Sequence, residues 1–393
     1  MKLLCLAAAL FGGSSLASRL FAASYAGLVT TLDLDESQAG YRLTPISDTN
    51  ACGASPSWLM PDADNGLLYC LNEAIDGSNA TLTSFKVNTN GSLTEIYQLE
   101  TVTGPVHSRF YSAGGRTFFV VAHYSGSSVT TYSLEPAAGT FTHLQTFTYK
   151  LDGPGAVPDR QEAPHPHGVA IDPTGRFVLV PDLGADYVRI YHINSSTGLL
   201  EEQKPLVASP GSGPRHGVFW TPKGAHPDST KGVRYYLASE LNSHLTGYEV
   251  TYTRNGKLSF HKFYETTTYG GSQPPAGSTA AEITISPGNN HIVITNRNDN
   301  TFGSSNDSVA VFSCADASGS FFKKNVTFSG LYPAYGSIPR QFEISEEGDK
   351  LALALQNSHR VAVAGWDDET GSAGPLLAET TLDGQITAVI WDL

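Results

Sequence analysis

The sequence is short of methionine, cysteine and positive charge. Only two Met and four Cys occur among its 393 residues. No Cys-x-x-Cys pair is present, so neither a zinc ribbon nor a dithiol redox motif is supported. Lys and Arg number 24 against 37 Asp and Glu, a formal net charge of -13. A chain of that sign offers nucleic acid no electrostatic footprint, and nucleic acid is excluded as a partner. Beyond the N-terminus, long Leu/Ala/Glu/Lys helical stretches are missing. No later apolar run approaches the ~20 residues of a membrane-spanning helix, so no membrane span is expected.

What is abundant is glycine, 39 residues, with 18 Tyr and 18 Phe. Together with the missing helical stretches, this favours β-structure with many turns. The first residues read as a secretory leader: Lys2, the apolar "LLCLAAALF", then the small-residue run "GGSSLAS". Cleavage is expected between Ala17 and Ala23, with residues 1–19 as leader and 20–393 as one domain. Sequons at Asn79, Asn90, Asn194, Asn306 and Asn325 fit a glycoprotein that is secreted or held in the secretory lumen. Loss of Cys5 with the leader leaves Cys52 and Cys70, which flank one predicted hairpin and can pair. Cys314 is then an unpaired, buried thiol.

One pattern recurs. An alternating apolar strand leads into a polar turn, and a second strand follows that ends in a polar residue. The turns are "PDADNG", "SAGGR", "DPTGR", "TPKG", "SPGNN" and "SEEGDK". The polar ends are Glu73, His123, Asp182, Glu240, Arg297 and Asn357, recurring roughly every fifty to sixty residues. Several strands per period of that length indicate an all-β propeller of four-stranded antiparallel blades. Six copies are visible. A seventh blade can be assembled from the C-terminal "GQITAVIWDL" and the N-terminal "AASYAGLVTTLDL", closing the ring and removing an exposed edge.

In such a blade the start of the first strand and the end of the second lie on the same face. His165, His167, Arg215, His216 and Arg340 precede first strands, while His123, Asp182, Glu240 and Arg297 end second strands. All nine are expected around one mouth of the axis. The long loops fall on that face too, and Tyr269, Phe302, Tyr332 and Tyr335 within them are candidates to wall an apolar pocket.

The stretches "HPHGVAIDPTGRFVLVPDLGADYVRIY", "GSGPRHGVFW", "YYLASELNS", "AEITISPGNNHIVITNRN" and "IPRQFEISEEGDKLALALQNS" resemble the lactonase-type seven-bladed propellers. That family contains 6-phosphogluconolactonase and the fungal 3-carboxy-cis,cis-muconate lactonising enzyme. The resemblance covers nearly the whole mature chain. For the muconate branch it implies a catalytic set of His167, Arg215, Glu240 and Arg297. Two stretches depart from the family pattern: "AHYSGSS" replaces an Asn-Tyr-Gly-Gly type run, and Gln follows Pro-Arg where the family often has His.

Forming or opening a lactone needs a held carboxylate, a proton donor or acceptor, and stabilisation of developing charge. Arg215 and Arg297 are suited to forked clamping, His167 to acid/base work, and Glu240 to orienting or protonating the substrate. A lone His or Arg at a strand end is often only a hydrogen-bonded blade-edge residue, whereas four around one axis of an acidic protein argue for a site. His165, His216 and Arg340 are as readily loop braces as substrate contacts. Asp182 reads as a loop brace, and His123 carries the weakest argument for a site. His165 and His167 are also candidate zinc or copper ligands, but no third ligand is evident, and a cation is repelled by Arg215 and Arg297. No metal and no cofactor are therefore expected. Three functions remain for a small-molecule site: lactone making or opening, a natural-product cyclase working by dehydration or cycloaddition, and a non-catalytic adhesive propeller. Oligomeric state is not legible.

Overall fold

A computed structural model describes residues 18–226, 229–314 and 326–392. The leader up to Ala17 and the sequon at Asn325 lie outside the described residues. The described chain forms seven four-stranded antiparallel sheets, with two three-residue 3-10 turns as its helical content. Six sheets are built from four consecutive strands. In the seventh, Ile386–Trp391 pairs with Ser18–Ser24, followed outward by Leu28–Ser37 and Gly40–Thr49. The register there runs Phe21↔Ile390 and Ala22↔Val389, so the two ends of the chain close the ring as a seven-bladed β-propeller. The first strand of the closing blade begins at Ser18, so the propeller extends slightly ahead of the expected boundary at residue 20. Cleavage as late as Ala23 would remove most of that strand.

Seven inner strands surround the axis: Pro56–Asp62, Pro105–Ala113, Ala170–Ile171, Pro214–Trp220, Thr279–Ile285, Pro339–Ile344 and Ile386–Trp391. Each touches the inner strand of the next blade. Second strands such as Leu67–Asn72 and Phe177–Asp182 are buried along their whole length, because neighbouring blades cover both faces. Outer strands such as Thr140–Thr148 mix buried or half-buried positions with exposed ones. The core accordingly lies between blades rather than at one centre. One cluster joins Phe177, Leu179 and Ile190 of the third blade to Tyr235, Leu237 and Tyr248 of the fourth. Burying each such side chain contributes about 1.5–3 kcal/mol.

The face carrying the site has a repeated local device. Four inner strands begin with Pro followed by a one-residue slip of register: Pro56/Trp58, Pro105/His107, Pro214/His216 and Pro339/Gln341. Proline has no N–H to give the ladder, so it is tolerated where a bulge interrupts pairing. A bulge also redirects the side chain at the slip. Ser57, Val106, Arg215 and Arg340 occupy those slips, and all four line one small axial cavity. The third blade uses a variant in which Pro166 bridges to Asp182 and His167 follows, donating its backbone N–H to Pro181 O. His167 and Arg215 thus occupy corresponding places in two blades.

Cys52 and Cys70 form a disulfide that ties the segment leaving the closing blade to Leu67–Asn72 of the first. Cys314 is free and buried, and burial pushes its thiol up to about 12. Asn79 and Asn90 are exposed and Asn194 is half-buried. Asn306 differs: its Oδ1 is buried without a partner, and Asp307 and Ser308 of the same sequon are fully buried. That sequon is a poor acceptor in the folded chain. No helix among the described residues is long and apolar enough to cross a membrane.

Candidate active site

The axial cavity is lined by Ser57, Trp58, Val106, His167, Arg215, His216, Glu282, Arg340, Gln341 and Thr387. Three polar systems meet there. The first centres on Glu240, which follows the strand Arg234–Ser239 and is 3 % exposed. Its Oε2 lies 3.0 Å from Arg215 Nε and 2.8 Å from Arg297 Nη2, and its Oε1 lies 2.6 Å from Arg160 Nη2. Burial alone would raise the Glu240 carboxyl, but Arg297, Arg215 and Arg160 outweigh it and hold the group at about 2. A carboxyl held there donates no proton near neutral pH. The acid role considered for Glu240 is therefore corrected: this residue is the fixed counter-charge that spaces three guanidinium groups.

Arg215 itself is 2 % exposed, and its Nη1 is buried without a hydrogen-bond partner. Burial, with Arg297 beside it, pushes the Arg215 guanidinium down to about 9, so it remains charged at neutral pH. A buried cationic N–H lacking an acceptor is costly by itself and is suited to meet an oxyanion.

The second system is a chain of three side chains. His167 Nδ1 lies 3.0 Å from His216 Nε2, and His216 Nδ1 lies 2.7 Å from Glu282 Oε1. His107 packs against the His216 ring at 4.7 Å between centroids, and Trp58 lies tilted over His107 at 4.0 Å. Burial first, and neighbouring guanidinium groups after it, push His107, His167 and His216 well below the usual imidazole range. All three are neutral at pH 7. Gly168 permits the approach of the two blades, because a Cβ there would meet Arg215 O at 2.7 Å and His216 Cδ2 at 3.0 Å. The glycine of "HPHG" is required by packing.

Arg340 belongs to a third group. Its Nη2 lies 3.3 Å from Glu73 Oε2, and the Tyr25 hydroxyl donates to that same oxygen. This contact joins the first, sixth and closing blades across the mouth while Arg340 still borders the cavity.

Several expected site residues serve the scaffold instead. His123 is fully buried, with Nδ1 2.8 Å from Val102 O and Nε2 2.7 Å from Thr130 Oγ1, so no ring nitrogen is left for a substrate. Asp182 accepts from the backbone N–H groups of His165 and Ala185 and from Arg189 Nε. It braces the loop that carries His167. His165 is stacked on Tyr124, with its ring nitrogens near Tyr124 O and Glu162 Oε1. The Tyr269 hydroxyl donates to Asp299, Tyr332 packs between blades, and the Tyr335 hydroxyl donates to Gly374 O. Phe302 is exposed on its loop. None of these four aromatic residues lines the axial cavity, so the expected aromatic wall is not built there.

Sequence reasoning missed Glu282, His107, Trp58, Arg160 and the site role of Glu73. Trp58, His107 and Glu282 lie at the starts of inner strands, and a register comparison across blades locates them beside the bulge positions. Arg160 comes from the irregular loop between Thr148 and Ala170, where no period guides the reading. Among the described residues, no group of three or more His, Cys, Asp or Glu is arranged to hold a metal ion.

Fold and site together define a seven-bladed propeller with a dense Arg, His and Glu centre buried at one mouth. The chain belongs to the lactonase family of seven-bladed β-propellers, whose model matches residues 19–391. It is 31 % identical over 363 residues to a protein of Arthroderma benhamiae named "Probable 6-phosphogluconolactonase", covering 92 % of this chain and 86 % of that one. It is 26 % identical over 333 residues to a 6-phosphogluconolactonase of Formosa agariphila, covering 84 % of this chain and 86 % of that one. The solved structure of a periplasmic gluconolactonase from Pseudomonas aeruginosa superposes with a TM-score of 0.76 at 24 % identity, covering 95 % of this chain and 99 % of that one. At that identity the likeness supports the fold.

Proposed function

We propose that the protein hydrolyses the lactone of a sugar acid bearing an anionic group, of the 6-phosphogluconolactone type, at the axial mouth. The observation that carries this reading is the shared cavity of His167 and Arg215: a neutral imidazole and an unpartnered buried guanidinium N–H border the same small space. Ester opening by water needs both a proton acceptor for the water and a donor for the carbonyl oxyanion. His167 takes the first role and Arg215 the second. Arg160 and Arg297 lie farther out, and Glu240 neutralises only part of the charge of the three guanidinium groups. The remaining positive charge draws an anionic substrate into an otherwise acidic protein.

The names of the relatives support lactone hydrolysis, whereas no observation favours the cyclase reading once its aromatic wall is absent from the cavity. Export through the secretory pathway is part of the proposal, carried by the N-terminal leader pattern and the exposed sequons Asn79 and Asn90. N-terminal sequencing and glycosidase treatment of the chain from a eukaryotic host test it; an uncleaved, unglycosylated cytosolic product would overturn it.

The deciding assay is acid release, followed by pH-stat, from glucono-δ-lactone and its 6-phosphate, with spontaneous hydrolysis subtracted. Turnover should be greater with the phosphate ester and fall to background in His167→Ala. Equal background rates with both lactones would remove the proposal.

A further inference from the structure

Whether His167 can accept a proton depends on which of its ring nitrogens already carries one. Its Nδ1 is engaged by His216 Nε2, and its Nε2 is the nitrogen left without a partner among the described residues. The answer is set two residues away in the chain of contacts, at Glu282. Oε1 of Glu282 faces two nitrogens: the backbone N–H of Ile283 at 3.1 Å and Nδ1 of His216 at 2.7 Å. A peptide N–H can only donate, so Oε1 is already an acceptor. The other oxygen, Oε2, is buried with no partner, and an ionised Glu282 has only acceptors to offer. Burial raises the Glu282 carboxyl while His107, Arg215 and Arg109 oppose that shift; against the ionised carboxylate His216 donates from Nδ1. A neutral His216 then accepts at Nε2, so His167 donates from Nδ1 and leaves Nε2 bare.

We infer that Glu282 and His216 are positioning residues that hold His167 as the tautomer with an unprotonated Nε2, the nitrogen that deprotonates the attacking water. The catalytic step rests on the lactone-hydrolysis reading, whereas the tautomer does not. In that step the water oxygen bonds to the lactone carbonyl carbon as one water proton passes to His167 Nε2. The ring C–O bond then breaks, and the departing alkoxide recovers that proton as a hydroxyl. The sum is one water and one lactone giving one hydroxy acid, whose carboxyl ionises to solvent. Glu282 matters most while His167 is an imidazolium, because it supplies negative charge at the far end of the hydrogen-bonded pair.

The surroundings hold the pair in register. His216 is faced by Arg215 from its own strand, by His107 and Arg109 from Pro105–Ala113, by Glu282 from Thr279–Ile285, and by Glu240 and Arg340. His167 is faced by Arg215, His216, Arg340 and Arg297. Cations dominate this set, and Glu282 is the carboxylate placed in hydrogen-bond contact with the relay. Trp58 and His107 close the remaining side of the His216 ring by packing.

Nitrogen-15 NMR of the full chain labelled at histidine reads the tautomers directly at pH 7, with the two rings assigned through His167→Gln and His216→Gln. Both rings should show a protonated Nδ1 and a bare Nε2. The pattern should persist in Glu282→Gln, whose side-chain oxygen still accepts, and be lost in Glu282→Leu. In kinetics, Glu282→Gln should lower kcat roughly 10- to 100-fold with little change in KM. It should also move the acid limb of kcat/KM to lower pH, since loss of the carboxylate disfavours the imidazolium. Glu282→Asp should restore part of the rate. A protonated Nε2 on His167, or an unmoved acid limb with kcat and KM impaired together, would overturn the inference. The NMR pattern without any lactone turnover would instead support the tautomer and overturn the lactone reading alone.

Discussion

Nε of Arg215 lies 3.0 Å from Oε2 of Glu240, and both side chains are only 3 % exposed. A buried ion pair contributes little net stability over apolar packing, but removing one partner leaves an uncompensated charge. Glu240→Gln leaves Arg215, Arg297 and Arg160 without their counter-charge. It should cost about 3–5 kcal/mol in urea denaturation. Arg160 is 40 % exposed, so Arg160→Ala should cost less than about 1 kcal/mol. Equal effects of the two changes would mean that Glu240 is not the hub of the cluster.

Arg215 should matter through its fork rather than its charge alone. Arg215→Lys keeps a cation but cannot reach Glu240 and the cavity at once. Its kcat/KM for the lactone should fall about 10²-fold, with Tm lowered by no more than a few degrees. Retained kcat/KM would show that Nη1 does not meet the oxyanion.

Stability should carry the signature of buried neutral imidazoles. The folded pKa of His107 is pushed well below its ordinary value, chiefly by burial and then by Arg109 and His216. Below about pH 6.5 the unfolded chain therefore binds a proton that the folded chain refuses, so this residue makes stability fall as pH falls. In His107→Leu that contribution disappears. Its stability should decline less steeply than wild type between pH 6.5 and 5, by up to about 1.4 kcal/mol per pH unit. Parallel curves would place the proton uptake elsewhere. Glu240 acts at lower pH: its depressed folded value gives stability that is present above its ordinary value of 4.5 and lost as pH falls towards about 2.

The Cys52–Cys70 disulfide closes a loop of sequence separation 18 at the junction of the closing and first blades. In the chain-entropy description a loop of that size contributes about 3 kcal/mol. The Cys52→Ser, Cys70→Ser double variant should therefore have a lower Tm under oxidising conditions. It should match the reduced wild type, because both lack the same cross-link. No difference between oxidised wild type and the variant would remove this role.

Much of the architecture could be read in the chain itself. Strands such as "FVLVP" and "LALAL" are apolar at every position because blades cover both faces, and their spacing showed six of the seven blades. Closure by the C-terminal "ITAVIW" against the N-terminal segment follows from the need to hide an edge, although the partner strand begins at Ser18, ahead of the "AASYAGLVTTLDL" stretch expected to supply it. The placement of His167 and Arg215 at one mouth was likewise fixed by strand direction.

What the linear chain could not decide was the use of each polar end. His123 and Glu240 end equivalent strands, yet His123 turns its ring to Val102 O and Thr130 while Glu240 meets three arginines. Arg160, from an irregular loop, and Glu282, two blades from His167, enter the site only through the packing of one blade against the next. A period records which residues share a face. Hydrogen-bond partners and burial depend on distances across blades, and those exist only once the seven sheets have packed around the axis.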